Sequence, residues 1–277
     1  MELLIKNGTI VNSDRTFVSD VLCIDGKIVQ ISENIDGPTP FSNVVDATNC
    51  YVIPGGIDPH VHMHLSSTAG FSSDDFETGS IAALHGGTTT ILDFVTPNRG
   101  ESLDNAISKR ISEAKECTIN YSFHISPVEL QEDLNTQIEN CIKLGFTSFK
   151  VYMAYKDTIG LNDDGLKKVM NIVGKAGGIL LIHCEMGDQI DDSRNKLVKE
   201  GKTEPKYHPE SRPNETESYA VKKAIEMASI EKCPIYIVHV STKESLVYIR
   251  KAQEKGQIVY AETCPQYLLF DESKYSG

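Results

Sequence analysis

Four histidines and one lysine occupy positions where metal chemistry could arise. His60 and His62 flank Val61 just after Gly55-Gly56-Ile57-Asp58-Pro59, and a one-residue spacer on an extended backbone sends both imidazoles to one side. His183 closes the apolar run Ile179-Leu180-Leu181-Ile182, and His239 closes Ile235-Tyr236-Ile237-Val238. Neutral imidazoles gathered at one point suit a cation such as Zn²⁺. Taken singly, each also reads as a hydrogen-bonded core histidine. Lys150 lies inside Thr147-Ser148-Phe149-Lys150-Val151-Tyr152-Met153. A buried ammonium is costly, so it must lose its charge or find a partner. A desolvated amine is nucleophilic, and CO2 would convert it to a carbamate whose two oxygens can bridge two divalent ions. A lysine facing outward and a Schiff base are the competing readings.

These groups meet only if a scaffold gathers strand ends. The runs Tyr51–Ile57, Thr88–Val95, Ile119–Ile125, Thr147–Met153, Ile179–His183, Ile235–Val240 and Ile258–Ala261 are short, continuous and apolar, as expected of strands covered on both faces. Helical patterns lie between them at Asp74–His85, Ser102–Glu116, Val128–Leu144, Asp163–Lys175, Asn214–Glu231 and Lys243–Lys255. Gly86, Gly145, Gly177 and Gly256 are placed to end helices. Strand–helix alternation predicts a parallel α/β architecture, an open doubly wound sheet or a (β/α) barrel. In a barrel the strand ends carrying these histidines share one mouth, where such folds keep their active sites. Seven strand candidates are one fewer than a closed (β/α)8 barrel needs. Residues 1–50 read as β-structure, with Asn7-Gly8 and Asp25-Gly26 suited to two-residue hairpin turns.

Composition narrows the function classes. The 277 residues carry 40% hydrophobic and 24% charged side chains, a core-forming balance. A net charge of −12 disfavours nucleic acid and anionic membrane surfaces as partners. No apolar run approaches the roughly 20 residues of a membrane span, and the N-terminus lacks a secretory signal pattern. The seven cysteines are scattered without a CxxC pair, which points to a reduced, cytoplasmic protein rather than a disulfide framework.

The metal-type residues and their surroundings resemble the binuclear amidohydrolase superfamily, and within it the dihydropyrimidinases and hydantoinases. The resemblance rests on Pro54–His62, on Gly86-Gly87-Thr88-Thr89-Thr90-Ile91-Leu92-Asp93-Phe94, and on Phe149–Lys156 with its Met153-Ala154-Tyr155-Lys156. Tyr236–Ser241 and Ala261-Glu262-Thr263-Cys264-Pro265-Gln266-Tyr267-Leu268 complete it, so it covers essentially the whole chain. It implies an α/β fold: a (β/α)8 TIM-like barrel at 51–277, lacking its last strand in this chain, with a small N-terminal β-sandwich-type domain at 1–50. It implies that His60 and His62 bind one metal, that His183 and His239 bind a second, and that Lys150, as N6-carboxylysine, bridges both. Tyr155 would donate its hydroxyl to the developing oxyanion. The implied reaction is hydrolysis of the cyclic amide of 5,6-dihydropyrimidines or hydantoins to N-carbamoyl amino acids, by a hydroxide bridging two divalent ions, zinc being expected. The implied partner is a small cyclic ureide, and relatives are commonly homotetramers. Allantoinase- or dihydroorotase-like activity, or a non-catalytic scaffold related to dihydropyrimidinases, are the alternatives.

The family's last metal ligand is an aspartate at the end of strand eight, beyond the strands found here, so the 277 residues are expected to be an N-terminal portion that folds poorly and is inactive alone. His64 departs from the Glu or Gln of close relatives, and is a surface residue, a hydrogen-bond partner of a ligand, or a distortion of the site. Dihydroorotases carry an arginine there for the substrate carboxylate, which favours an uncharged ring for this chain. Asp74 and Asp75 are expected to cap a helix, His85 to suit a helix C-terminus, and Cys184 to be core. Asp93 is either a cap or a support for the site, and His124 faces core or mouth. Residues 185–213, including His208, are expected to form a long loop shaping the pocket.

Overall fold

The structure, a computed structural model, describes residues 2–36, 43–67 and 70–276. The chain divides into two compact units, residues 1–57 with 87–89, and residues 58–86 with 90–277.

In the first unit, β1 (Glu2–Val11), β2 (Thr16–Ile24), β3 (Lys27–Ser32) and β4 (Val44–Asp46) form a sheet in the order β3-β2-β1-β4, with β5 (Tyr51–Val52) also pairing with β1. Leu4, Leu22 and Ile35 form its small core. Asp25-Gly26 is the expected hairpin turn between β2 and β3, with φ of 49° and 76°. Asn7-Gly8 is not a turn. It sits inside β1 as a register shift between Ile5 and Gly8, with Asn7 at φ 62°. The buried carboxylate of Asp20 explains the difference, because it accepts the Asn7 N–H at 2.8 Å and that of Ile35 at 3.0 Å, capturing the peptide that the bulge frees.

The expected strand Tyr51–Ile57 is two strands. Pro54 has no N–H to give a ladder, and the chain breaks there into β5 and β6 (Gly56–Asp58). A Cβ on Gly55 would lie 2.1 Å from Thr89 Oγ1, so only glycine allows this approach.

Strand β6 is one edge of a seven-stranded parallel sheet. Beyond β7 (Ser66–Ser67) and β8 (Gly70–Phe71), which pair with each other, the others are β9 (Thr88–Val95), β10 (Asn120–Ile125), β11 (Ser148–Tyr152), β12 (Ile179–His183), β13 (Ile235–Ile237) and β14 (Val259–Ala261). The order β14-β13-β12-β11-β10-β9-β6 follows the chain without a reversal, the topology of a barrel rather than a doubly wound sheet. Helices α1 (Phe76–His85), α2 (Leu103–Glu113), α3 (Leu134–Lys143), α4 (Asp163–Lys175), α5 (Gly187–Lys199), α6 (His208–Ser211), α7 (Asn214–Glu231) and α8 (Lys243–Glu254) lie between strands. Val151, Ile182 and Ile237 belong to one core cluster with Val169, Val221 and Ile249 of the helices. Phe94, Leu181 and Val238 form a separate cluster of inner residues.

Asp75 caps α1 in a reciprocal box with Thr78, and His85 lies in its last turn. Gly145, Gly177 and Gly256 take the left-handed conformation after their helices, as expected; at α1 it is Gly87, not Gly86, that does so. Helix α3 starts at Leu134 rather than Val128, because Glu129 accepts the Gly100 N–H and Gln131 donates to the Glu101 carbonyl. Those side-chain bonds hold residues 128–133 off the helix. Within the expected 185–213 loop lies α5, whose buried Ile190 and Leu197 are two turns apart on an otherwise polar helix. Among the described residues, no helix is long and apolar enough to cross a membrane.

Candidate active site

The ring of Phe94, late in β9, is the centre around which the candidate residues gather. The rings of His60 and His62 each lie 4.7 Å from it, and Lys150 Nζ lies 5.1 Å from it. His60 and His62 are 5.2 Å apart between ring centroids, so both imidazoles do reach one side. They do so from an irregular segment after β6, not from a continued strand. His239 lies 5.7 Å from His60 and 4.7 Å from His183, which ends β12.

Lys150 is 1% exposed and pairs in register with Leu181 of the inner cluster, so the outward-facing reading does not hold. Its Nζ also lies 5.1 Å from the Tyr152 ring. Burial lowers the amine to about 7, against a partial opposing pull from Glu262. Such a group is substantially neutral near neutral pH and able to react as an amine.

His62 and His239 are held in their neutral form. Burial, reinforced by His183, Lys150 and His60, pushes His239 down to about 3. His62 falls to about 4, through crowding by surrounding atoms and then the charges of His60 and Lys150, although the residue keeps solvent exposure. Nδ1 of His183 and Nε2 of His239 are 2.9 Å apart, while Nε2 of His183 donates to Glu185 at 2.7 Å. Arg212 grips both oxygens of Glu185, at 2.8 and 2.7 Å. Burial raises Glu185, but His183 and Arg212 outweigh it and bring the carboxyl to about 2. His60 donates through Nδ1 to Glu262, which also accepts from the Tyr236 hydroxyl at 2.9 Å.

Tyr155 follows β11 with φ 61°, and its ring lies 5.3 Å from that of His183. Its carbonyl accepts the N–H groups of Thr158, Ile159 and Gly160, which tie the 155–160 turn. His239 is also left-handed, at φ 39°. The loop after it is held by Glu217, whose carboxylate accepts the Ser241 and Thr242 N–H groups.

Among the described residues, no three or more His, Cys, Asp or Glu are arranged as a ready metal cage. Nitrogens suited to a cation are engaged in hydrogen bonds here, His183 with His239 and His60 with Glu262. The donor chemistry nevertheless fits divalent ions: clustered imidazoles, two of them held neutral by large shifts, and a buried amine of lowered basicity among them.

The other residues singled out in the sequence take the following places. His64, at φ 47°, stacks on Phe71 at 4.2 Å. His208 stacks on Tyr275 at 5.7 Å. Cys184 is 3% exposed in the helix-side core. His124 bonds through Nδ1 to Ser148 Oγ at 2.7 Å and through Nε2 to the Pro59 carbonyl at 2.8 Å. Glu262, Glu185 and Arg212 were not marked by spacing. The signal for Glu262 lay in its place at the end of an apolar strand, the same rule that found His183 and His239.

Imidazoles gathered at the carboxyl edge of a parallel sheet, with a buried lysine among them, lie where (β/α) barrel enzymes keep their active sites. The chain belongs to the amidohydrolase family, whose model matches residues 51–265. It is 42% identical over 275 residues to a D-hydantoinase of Geobacillus stearothermophilus, covering 99% of this chain and 58% of that protein. It is 41% identical to dihydropyrimidinase 2 of Caenorhabditis briggsae, covering 99% of this chain and 54% of that one. The crystal structure of a dihydropyrimidinase from Brevibacillus agri superposes with a TM-score of 0.97 at 37% identity, over all of this chain and 60% of the other. The chain thus spans less than two thirds of the length of these relatives. The family is in general dependent on two metal ions.

Proposed function

We propose that this chain supplies the metal-binding half of a cyclic amidohydrolase that opens 5,6-dihydropyrimidine or hydantoin rings to N-carbamoyl amino acids. The observation that carries the reading is the gathering of His60, His62 and Lys150 around Phe94, with His239 and His183 adjoining. In this reading His60 and His62 hold one divalent ion, His183 and His239 hold the other, and Lys150, carboxylated, joins them. Zinc suits this donor set. Bound, such ions polarise a ring amide and make water a competent nucleophile near neutral pH.

The chain's own residues supply the rest. The Phe94 ring walls one side of the site and keeps water from the Lys150 amine. Arg212 and Glu185 fix the orientation of His183. The Tyr155 hydroxyl, on a ring 5.3 Å from that of His183, donates to the oxygen that gains negative charge as the ring opens. An imidazole at position 64 lacks the guanidinium fork that a charged carboxylate substrate would use, which favours an uncharged ureide over dihydroorotate. We assign a small N-terminal β-domain and a catalytic barrel, in a cytoplasmic homotetramer, with the boundary falling after β5, which pairs with β1, rather than at residue 50.

Two measurements test the reading together: metal content, and dihydrouracil or hydantoin hydrolysis, for this chain and for one of the relatives' full length. The expected result is about two divalent ions per subunit and turnover in the longer chain, with turnover absent from the shorter. A longer chain that binds no ions is the outcome expected of a non-catalytic scaffold, and it would overturn the proposal.

A further inference from the structure

The segment carrying His60 and His62 belongs to no helix or strand, so its own backbone hydrogen bonds do not fix it. Among the contacts from outside that do, three bind its backbone beside the two histidines. His124 Nε2 binds the Pro59 carbonyl at 2.8 Å, just before His60. The Val61 N–H donates to the Leu92 carbonyl at 3.1 Å, between the two histidines. The third contact takes both polar groups of one residue: the Met63 N–H donates to Asp93 Oδ2 at 2.7 Å, and the Met63 carbonyl accepts from Arg110 Nη2.

Asp93 and Arg110 are themselves an ion pair, 2.7 Å between Oδ1 and Nη2. The Asp93 side chain is fully buried and that of Arg110 is 12% exposed. Arg110 is fixed further by Glu113 at 2.6 Å and by the Phe76 ring, 4.7 Å from its guanidinium carbon. Thus β9 and α2, two regular elements, present a rigid acid–base pair that reads the polar groups of Met63 as a neighbouring strand would. The Met63 side chain occupies the notch of Gly79 on α1, where a Cβ would lie 2.3 Å from its sulfur. Met63 directly follows His62, so this anchor adjoins the second imidazole.

We infer that the Asp93–Arg110 pair positions the His60-Val61-His62 segment, setting how firmly the ion held by those two histidines is retained. The inference rests on the metal assignment proposed above. The pair touches neither substrate nor ion. It acts through Met63, by denying the segment the freedom to swing its imidazoles apart.

The test compares wild type with Asp93→Asn and Arg110→Lys in the full-length, zinc-loaded enzyme. Asn keeps the shape of Asp93 without its charge, and Lys keeps the charge of Arg110 without its fork. The readouts are the rate of zinc release to a chelating dye, the thermal midpoint of the metal-free protein, and kcat and KM separately. Both variants should release one of two zinc equivalents about 10–100-fold faster, with the second retained as in wild type. The metal-free midpoint should stay close to wild type, and kcat should fall more than KM rises. Release of both equivalents in step with a lowered midpoint would show a merely structural pair and overturn the inference. Wild-type release from folded variants would do the same. If Asp93→Asn does not fold, Arg110→Lys decides alone by the same criteria. A wild-type enzyme that binds no zinc overturns the metal assignment and this inference with it, an outcome separate from retention that the variants leave unchanged.

Discussion

Nδ1 of His183 and Nε2 of His239 face each other at 2.9 Å across the ends of two adjacent parallel strands. With Nε2 of His183 donating to Glu185, Nδ1 is the acceptor and His239 the donor. In this relation one ring nitrogen of each residue is turned toward the other, in the place assigned above to a cation.

On the metal assignment proposed above, His239→Asn should remove one of two divalent ions and lower turnover by about a hundredfold or more, since loss of a ligand costs at least as much as loss of its supporting partners. Asparagine tolerates the left-handed backbone at this position, φ 39°, so strain does not confound the result. Elemental analysis of the purified variant, beside its activity, reads both effects.

Lys150→Met separates stability from function. A buried amine, 1% exposed and stripped of water, costs the fold free energy that a thioether of similar length does not. The variant is expected to be about 1–3 kcal/mol more stable than the metal-free wild type by urea unfolding, and to lose metal binding and activity. In the native protein, intact-mass spectrometry in bicarbonate buffer should show one added carboxyl group that the variant lacks.

Tyr155→Phe should lower kcat by about 10²–10³-fold, as for loss of one oxyanion donor, with KM and thermal midpoint little changed. Gly160→Ala reaches the same residue through the backbone. Its Cβ would lie 2.0 Å from the Ala154 carbonyl oxygen, so the 155–160 turn must move. That variant should lose both activity and stability, a combination the Phe variant does not show.

Asp20 gives the small sheet a pH dependence of known sign. Burial raises its pKa, but the Asn7 and Ile35 N–H groups and Lys6 outweigh burial and hold it below its ordinary 3.8. Its stabilising contribution is complete above that ordinary value and is lost as pH falls through the lower folded value. Asp20→Asn should cost about 1–3 kcal/mol at neutral pH. Urea midpoints of wild type and variant should converge as the solution is acidified below about pH 4.

Much of this was legible in the chain itself. Continuous apolar runs flanked by capped helices specify parallel strands, because a strand covered on both faces has no polar alternate position. Since such strands end where the polar loops begin, the histidines after them mark the carboxyl edge, and Lys150 in mid-run declares an interior amine. What a local pattern cannot carry is which of two structures a shared signal serves. Asn7-Gly8 and Asp25-Gly26 both supply positive φ, yet one is a bulge and the other a turn, because only the first has a buried carboxylate waiting for its freed peptide. Helix α5 carries almost no apolar periodicity, because two apolar contacts suffice when the sheet is already in place to receive them.

The supports of the site belong wholly to the tertiary structure. Asp93 and Arg110 lie 30 and 47 residues from Met63, and Glu262 lies 202 residues from His60. Nothing in the spacing announces these pairs, since each depends on the register of strands brought together only on folding. Residue types chose the chemistry; the closing of long-range hydrogen bonds around buried charge decided where each imidazole stands.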